Sequence, residues 1–212
     1  MVLKAGILGA TGTVGQRFID LLRNHPWFVV HTLGASESSA GKTYKQAASW
    51  KLASQIPDAV QKMVVVSCDA KHFSGCDVIF SALDASVAGD IEASFASSGF
   101  AVFSNARNFR YDAHVPILVP YVNADHLDII PHQRTAKNFK QGYIVTNANC
   151  SSTGLVVALK PLVDKFGVDK VLVFTMQAIS GAGYPGVASL DITDNVVPYI
   201  SGEEPKMELE PR

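Results

Sequence analysis

Short apolar runs alternating with helical patterns constrain this chain more than any other feature. KAGILGA (4–10) is an uninterrupted apolar run. TVGQRFIDLLRNH (13–25) follows it with Val14, Phe18, Leu21 and Leu22 spaced for one helix face. WFVVHTLGA (27–35), KMVVVS (62–67) and DVIFSAL (77–83) read as three more strands, and VAGDIEASFASSG as a helix stopping at Gly99. FAVFSN (100–105) and YIVTNA (143–148) add two further strands. Several runs are apolar without alternation, as strands covered on both faces are. The pattern predicts an α/β chain built on a Rossmann-type, doubly wound, mostly parallel sheet.

Beyond residue 149 the texture changes. SSTGLVVALKPLVDKFG (151–167) reads as a helix that Pro161 should end or kink. DKVLVFTMQAIS (169–180) reads as a long strand, GAGYPG (181–186) as a turn and SGEEPKMELEPR as a polar tail. Two domains are expected: a dinucleotide-binding domain over 1–149, and over 150–212 the incomplete start of an α+β catalytic and dimerisation domain. The second has only about sixty residues, below the usual size of an independent core.

Composition narrows the partners. With 48% hydrophobic and 17% charged residues among 212, the chain buries a core and is not disordered. A net charge of −1 without a basic run argues against nucleic acid and anionic membrane. No apolar stretch approaches the roughly 20 residues of a membrane span, and the N-terminus lacks the features of a signal peptide. Three cysteines at 68, 76 and 150 make neither a disulfide framework nor a metal site. A reducing cytoplasm is the expected location, and no metal is expected.

GILGATGTVGQRF places Gly9, Gly12 and Gly15 between the first strand and the first helix. This GxxGxxG spacing is a variant of the dinucleotide fingerprint. Its glycines allow a tight turn, close approach of backbone to pyrophosphate, and close helix–strand packing. The backbone N–H groups of Thr11, Gly12, Thr13 and Val14 would face phosphate at the positive helix end. The loop after the second strand holds Ser36, Glu37, Ser38, Ser39 and Lys42. Hydroxyls and a lysine suit the 2′-phosphate of NADP, whereas Glu37 would repel it, so the loop by itself leaves NAD and NADP both open.

NANCSSTG sets Cys150 directly before a predicted helix whose cap candidates are Ser151, Ser152 and Thr153. A helix N-terminus stabilises a thiolate, and Asn149 offers an amide donor for a developing oxyanion. Cys68 and Cys76 have no such setting and read as inert small hydrophobes. A dinucleotide site with a nucleophilic cysteine suggests thiol addition to an aldehyde, hydride transfer, and cleavage of the resulting thioester by an acceptor.

GILGATGTVGQRF, SNARNFR, NANCSSTG and QAISGAGYPG together resemble aspartate-β-semialdehyde dehydrogenase, in the pattern of its fungal and archaeal branch. The resemblance implies NADPH-dependent reductive dephosphorylation of L-aspartyl-4-phosphate to L-aspartate 4-semialdehyde through a cysteine thioester. That is an early step toward threonine, methionine and lysine. It implies Cys150 as nucleophile, Asn149 beside it, and Gln177 holding the acyl intermediate. Arg107 and Asn108 would bind the substrate's phosphate or free phosphate. Ser81, Ala82, Ser36, Ser38 and Ser39 would lie along the cofactor, and Ser180, Gly181 and Gly183 toward its nicotinamide. It favours NADP and a full-length homo-oligomer, dimer or tetramer.

Two departures accompany the resemblance. Ser38 stands where fungal-type members usually carry arginine. The family's catalytic histidine and its carboxylate-binding arginine are expected beyond Arg212, so none of His25, His31, His72, His114, His126 and His132 is given a catalytic role, and the 212-residue chain alone is expected to turn over little or nothing. The alternatives are an enzyme resembling N-acetyl-glutamyl-phosphate reductase or a glyceraldehyde-type phosphorylating dehydrogenase, and a non-catalytic nucleotide-binding fragment.

Overall fold

The structure, a computed structural model, describes residues 2–211. Along the chain run β1 (Leu3–Leu8), α1 (Thr13–Leu21), β2 (Phe28–Ala35), the single turns α2 (Tyr44–Ala47) and α3 (Asp58–Gln61), β3 (Val66–Ser67), β4 (Val78–Ser81), α4 (Ala85–Ser97) and β5 (Ala101–Ser104). Then come β6 (Ile117–Leu118), α5 (Pro120–Asn123), α6 (Ile130–Lys137), β7 (Tyr143–Asn147), α7 (Cys150–Phe166), α8 (Ser189–Ile192) and α9 (Glu203–Leu209). They form two compact units: the chain through Leu118 with Asp125–Asn147, and Val119–Ala124 with the chain from Ala148 on.

The first unit is a seven-stranded sheet in the order β3-β2-β1-β4-β5-β7-β6. Every pairing in it is parallel. The strand order reverses at β1, which lies between β2 and β4, so a crevice opens at the carboxyl ends of β1 and β4. Burial follows from the apolar runs. Ile7 packs with Ile19, Leu33 and Tyr44 on one face, while its neighbour Leu8 packs with Phe73, Ile79, Phe95 and Val102 on the other. Both are fully buried, as a strand covered on two faces requires.

The third predicted strand, 62–67, contributes only Val66–Ser67 to the sheet. Its earlier part pairs locally instead. Val65 N–H donates to the Lys42 carbonyl, and Tyr44 N–H donates to the Met63 carbonyl. Those backbone groups are therefore already satisfied before the parallel ladder begins. The carboxyl ends of the central strands share one level: Leu8 pairs with Ser81, Ser81 with Ser104, and Ser104 with Thr146. Three of these four residues carry hydroxyls, and all three hydroxyl residues are buried.

In the second unit α7 runs unbroken past Pro161, contrary to the expectation of an end or kink there. Proline removes one N–H, which would have bonded the Val157 carbonyl. Val157 is 43% exposed, so water can take up that carbonyl. The expected strand at 169–180 is irregular instead, with Leu172, Phe174 and Met176 at 99%, 90% and 90% exposed. A ladder needs a second strand to receive its N–H and C=O groups, and the described residues of this unit include no strand. The tail expected to be merely polar forms α9. Gly202 precedes Glu203 and Glu204 in its first turn, where acidic side chains complement the helix dipole.

Candidate functional site

The glycine loop is built around backbone contact. Gly9 has φ +72, and a Cβ there would lie 2.6 Å from the Ala82 carbonyl oxygen at the exit of β4. A Cβ on Gly15 would lie 2.3 Å from the Gly9 carbonyl oxygen and 2.7 Å from Ala10 Cα. A Cβ on Gly12 would meet only the Gly9 carbonyl oxygen, at 3.4 Å, so that face of the loop is open. Gly12 N–H closes the turn onto Gly9 O at 3.1 Å and so is not turned outward as expected. Thr13 and Val14 begin α1, where N–H groups have no intrahelical partner. An open glycine face beside orphan helix donors fits a dinucleotide pyrophosphate.

Two buried side chains set the shape of this loop. Tyr44, fully buried, donates its hydroxyl to Ala10 O at 2.9 Å, and burial pushes its pKa well up. Gln16, 1% exposed, donates Nε2 to Thr11 O at 2.9 Å and to Ser49 O at 3.0 Å, while its Oε1 accepts from Lys51 N–H at 2.7 Å. The sequence reading missed both, since no local spacing marks a side chain aimed at a distant carbonyl.

The serine loop leaves β2 beside the glycine loop, with Ala10 N–H donating to Gly34 O at 2.9 Å. Ser36 Oγ and Ser38 Oγ share a hydrogen bond at 3.0 Å, and Lys42 Nζ donates to Ser38 O at 2.8 Å. Ser39 N–H closes on Ser36 O at 2.9 Å. The structure thus gathers these hydroxyls and one ammonium at the carboxyl end of β2. Burial pushes the Cys68 thiol up, against the Gly9 backbone, which lowers it. Cys76 is likewise raised by burial. Ser81 is fully buried, so its side chain faces the protein interior rather than a cofactor. The backbone at the exit of β4 is engaged as well: Ala82 N–H donates to Leu8 O at 2.9 Å, and Ala82 O lies against Gly9.

The loop after β5 carries Arg107 and Asn108, both exposed. Asn108 Nδ2 donates to Ala85 O in the first turn of α4 at 2.9 Å, so this side chain anchors the loop. Arg107 lies near enough to Asp84 to affect it. The Asp84 carboxylate is held below its ordinary range first by the Ser86 N–H and hydroxyl, with a smaller part from Arg107. The Asn105 Oδ1 accepts from Asn147 Nδ2.

In the second unit Cys150 is the exposed first residue of α7. The cap is Asn149 rather than the serines or threonine expected: its Oδ1 accepts from Ser151 N–H at 2.9 Å and from Ser152 N–H at 3.4 Å. That leaves its Nδ2 as the half suited to an oxyanion. Gln177 Nε2 donates to Ser151 Oγ at 3.1 Å and to Glu203 Oε1 at 2.7 Å. Ser151 Oγ also donates to Glu203 Oε1, at 2.9 Å, and Lys206 Nζ lies 3.4 Å from Glu203 Oε2. Burial would raise the Glu203 carboxyl, but the Ser151 and Gln177 bonds and the Lys206 charge hold it below its ordinary range. Glu210 Oε2 accepts from Asn149 N–H at 2.5 Å. Glu203, Lys206 and Glu210 were absent from the sequence reading. Ser180 and Gly181 lie on a 3-10 turn, Ile179–Ala182, with Gly183 ending it. Gly181 sits against Gln177, whose Oε1 would lie 2.9 Å from a Cβ there.

Comparison with known proteins identifies the family. Aspartate-semialdehyde dehydrogenase of Cryptococcus neoformans is 61% identical over 211 residues, covering 98% of this chain and 58% of that protein. The Archaeoglobus fulgidus enzyme of the same name is 47% identical over 211 residues, covering 100% of this chain and 61% of that protein. The crystal structure of Candida albicans aspartate semialdehyde dehydrogenase with NADP superposes with a TM-score of 0.87 at 51% identity, covering 100% of this chain and 59% of that one. The chain thus spans about three-fifths of the length of these relatives. The family model for the semialdehyde dehydrogenase NAD-binding domain matches residues 4–130, and that for the dimerisation domain matches 159–212. The glycine loop at the switch point of the parallel sheet falls within the NAD-binding match, Cys150 at the head of its capped helix lies between the two matched segments, and the chain belongs to the semialdehyde dehydrogenase family.

Proposed function

We propose that this chain is the nucleotide-binding and nucleophile-bearing portion of an aspartate-semialdehyde dehydrogenase. The full protein would reduce L-aspartyl-4-phosphate to L-aspartate 4-semialdehyde, with inorganic phosphate as acceptor in reverse. The observation that carries the reading is the exposed Cys150 at the head of α7, with Asn149 as its cap and Gln177 tied to the neighbouring Ser151. In the aldehyde-oxidising direction the Cys150 sulfur adds to the carbonyl carbon, and Asn149 Nδ2 offers a donor to the oxyanion. In the biosynthetic direction the same sulfur displaces phosphate from the acyl phosphate and forms the thioester. Arg107 is the exposed guanidinium suited to that phosphate. All six histidines lie in the first unit, so the second unit brings no imidazole of its own to Cys150 as proton acceptor.

Gly9, Gly12, Gly15 and the N–H groups of Thr13 and Val14 would hold the pyrophosphate of a nicotinamide dinucleotide, which when bound supplies or accepts hydride. Ser36, Ser38, Ser39 and Lys42 favour NADP over NAD, since three hydroxyls and an ammonium can surround a 2′-phosphate. The Candida relative crystallised with NADP supports this preference. The match to a dimerisation domain supports a homo-oligomer in the full protein. Among the described residues no helix is long and apolar enough to cross a membrane, in keeping with a cytoplasmic enzyme of amino-acid biosynthesis.

Phosphate-dependent reduction of NADP+ by the complete protein tests the reading. Activity with aspartate semialdehyde is expected. Activity confined to glyceraldehyde 3-phosphate or to N-acetylglutamate semialdehyde would overturn it. On the 212-residue chain, fluorescence titration should show tighter binding of NADPH than of NADH.

A further inference from the structure

Glu92 lies on α4 and is fully buried, yet nothing in the reaction above uses it. It faces the sheet where Ser81 and Ser104 stand side by side as register partners on β4 and β5, both buried. Ser104 donates its hydroxyl to Glu92 Oε1 at 2.7 Å, and Ser104 Oγ in turn accepts from Ala106 N–H at 3.0 Å. Ala106 directly precedes Arg107 and Asn108. The other carboxyl oxygen, Glu92 Oε2, and the Ser81 hydroxyl are both buried without a well-formed hydrogen bond. They lie close enough for Ser81 to act on the ionisation of Glu92. One proton on Oε2, donated to Ser81 Oγ, satisfies both orphan atoms at once.

We propose that Glu92 is a positioning residue for phosphate recognition, acting through Ser104 to hold the Ala106 N–H and so fix the turn that presents Arg107. This rests on the assignment of Arg107 to phosphate. Glu92 does so as an uncharged carboxylic acid that bridges the ends of β4 and β5. Burial raises its carboxyl above the ordinary range, opposed by the Ser81 and Ser104 hydrogen bonds. Two further ties run between the same turn and α4: Asn108 Nδ2 to Ala85 O at 2.9 Å, and the Arg107 charge near Asp84. A turn held at several points keeps a guanidinium in one pose, and pose decides how well a fork of donors meets a tetrahedral anion.

The test uses the 212-residue chain and four forms: wild type, Ser104→Ala, Glu92→Gln and Glu92→Met. Inorganic phosphate and NADPH are titrated separately, Tm is recorded, and amide hydrogen exchange is followed over residues 104–110. Ser104→Ala and Glu92→Met should speed exchange in that segment and weaken phosphate binding about five- to tenfold, the scale of one or two lost hydrogen bonds. NADPH affinity should stay within about twofold, because the glycine loop does not depend on this relay. Glu92→Gln reproduces the protonated acid, an acceptor toward Ser104 and a donor toward Ser81, and should match wild type in exchange and phosphate binding. Wild-type exchange and phosphate affinity in Ser104→Ala would overturn the proposal, and this variant decides the matter even if Glu92→Met fails to fold. Glu92→Gln as damaging as Glu92→Met would also overturn it, as would NADPH and phosphate affinity falling together with Tm. A wild-type chain that binds NADPH but no phosphate would overturn the assignment of Arg107 instead. The exchange of 104–110 in Ser104→Ala would then still show whether the relay holds the turn.

Discussion

Replacing Gly15 by alanine separates the packing role of the glycine loop from its binding role. The added Cβ would sit 2.3 Å from Gly9 O, 2.7 Å from Ala10 Cα and 2.9 Å from Ala10 C, where ordinary contact begins at 3.4 Å. All three atoms are backbone, so no side chain can swing away, and the turn must open by about 1 Å. Alanine gains about 1 kcal/mol over glycine inside a helix, while forced overpacking costs typically about 1–3 kcal/mol and more where backbone must move. The close approach is to backbone on both sides, so the loss wins, by about 2 kcal/mol net. For a chain of this size that lowers Tm by roughly 4–8 °C. Urea unfolding followed by Trp27 and Trp50 fluorescence measures it, and NADPH binding should fall with it. Gly12→Ala is the contrast. Its Cβ meets only Gly9 O, at 3.4 Å, and the residue caps α1 in an extended conformation that alanine adopts. Stability should stay within about 1 kcal/mol of wild type, while NADPH affinity drops at least about tenfold because the Cβ stands where pyrophosphate must approach backbone. A Gly15→Ala chain as stable as wild type, or a Gly12→Ala chain that binds NADPH at wild-type strength, would refute this account of the loop.

Two further outcomes follow from buried and exposed groups. The Glu92 carboxyl is raised on folding, by burial against the opposing Ser81 and Ser104 bonds. The folded state therefore holds this proton more tightly, and the contribution is fully present below the ordinary carboxyl range and lost as pH rises through the raised folded value. Measured by urea unfolding from pH 4 to 8, Glu92→Gln should gain stability relative to wild type as pH rises; a flat difference, or one of opposite slope, contradicts a protonated Glu92. Iodoacetamide at neutral pH should label exposed Cys150 first, with half-buried Cys68 and buried Cys76 slow because burial raises both thiols. Peptide mapping that finds either of those two labelled ahead of Cys150 in the folded chain would count against the nucleophile assignment.

What could be read from the sequence was whatever backbone geometry writes into residue type. Gly9 and Gly15 are glycines because other backbone lies within 3 Å of where a Cβ would be, and such a need is visible without a structure. The central strands were legible because burial on both faces leaves no polar position in a run such as AGIL. Tyr44 and Gln16 were not, because each reaches a carbonyl or peptide that the sheet, not the sequence order, brings near. Glu92 lay between these cases. It falls on the same α4 face as Ala88, Phe95 and Ala96, all buried. A carboxyl on the core face of a helix is a signal that needs a partner to be explained. VIFS and AVFS, ending two adjacent strands in serine, supplied that partner.

The second unit shows where this kind of reading stops. Capping is local, so it was recoverable: Asn149 is as good a cap as serine, and GEEP carries the acidic first turn and proline of a helix start. A strand is not local. Leu172, Phe174 and Met176 recur at every second position, which specifies a face. It does not supply the N–H and C=O groups that must lie opposite them. In the first unit the predicted strands found neighbours in the sheet, so pattern and ladder coincided except at 62–67, of which only Val66–Ser67 joined it. In the second the pattern is present while no strand among its described residues offers an edge, and the three side chains stand almost wholly in solvent. Apolar alternation is thus evidence of what a segment is suited to bury. It becomes evidence of a strand only when the partner edge is in hand, and for 169–180 the sequence reading inferred the second from the first.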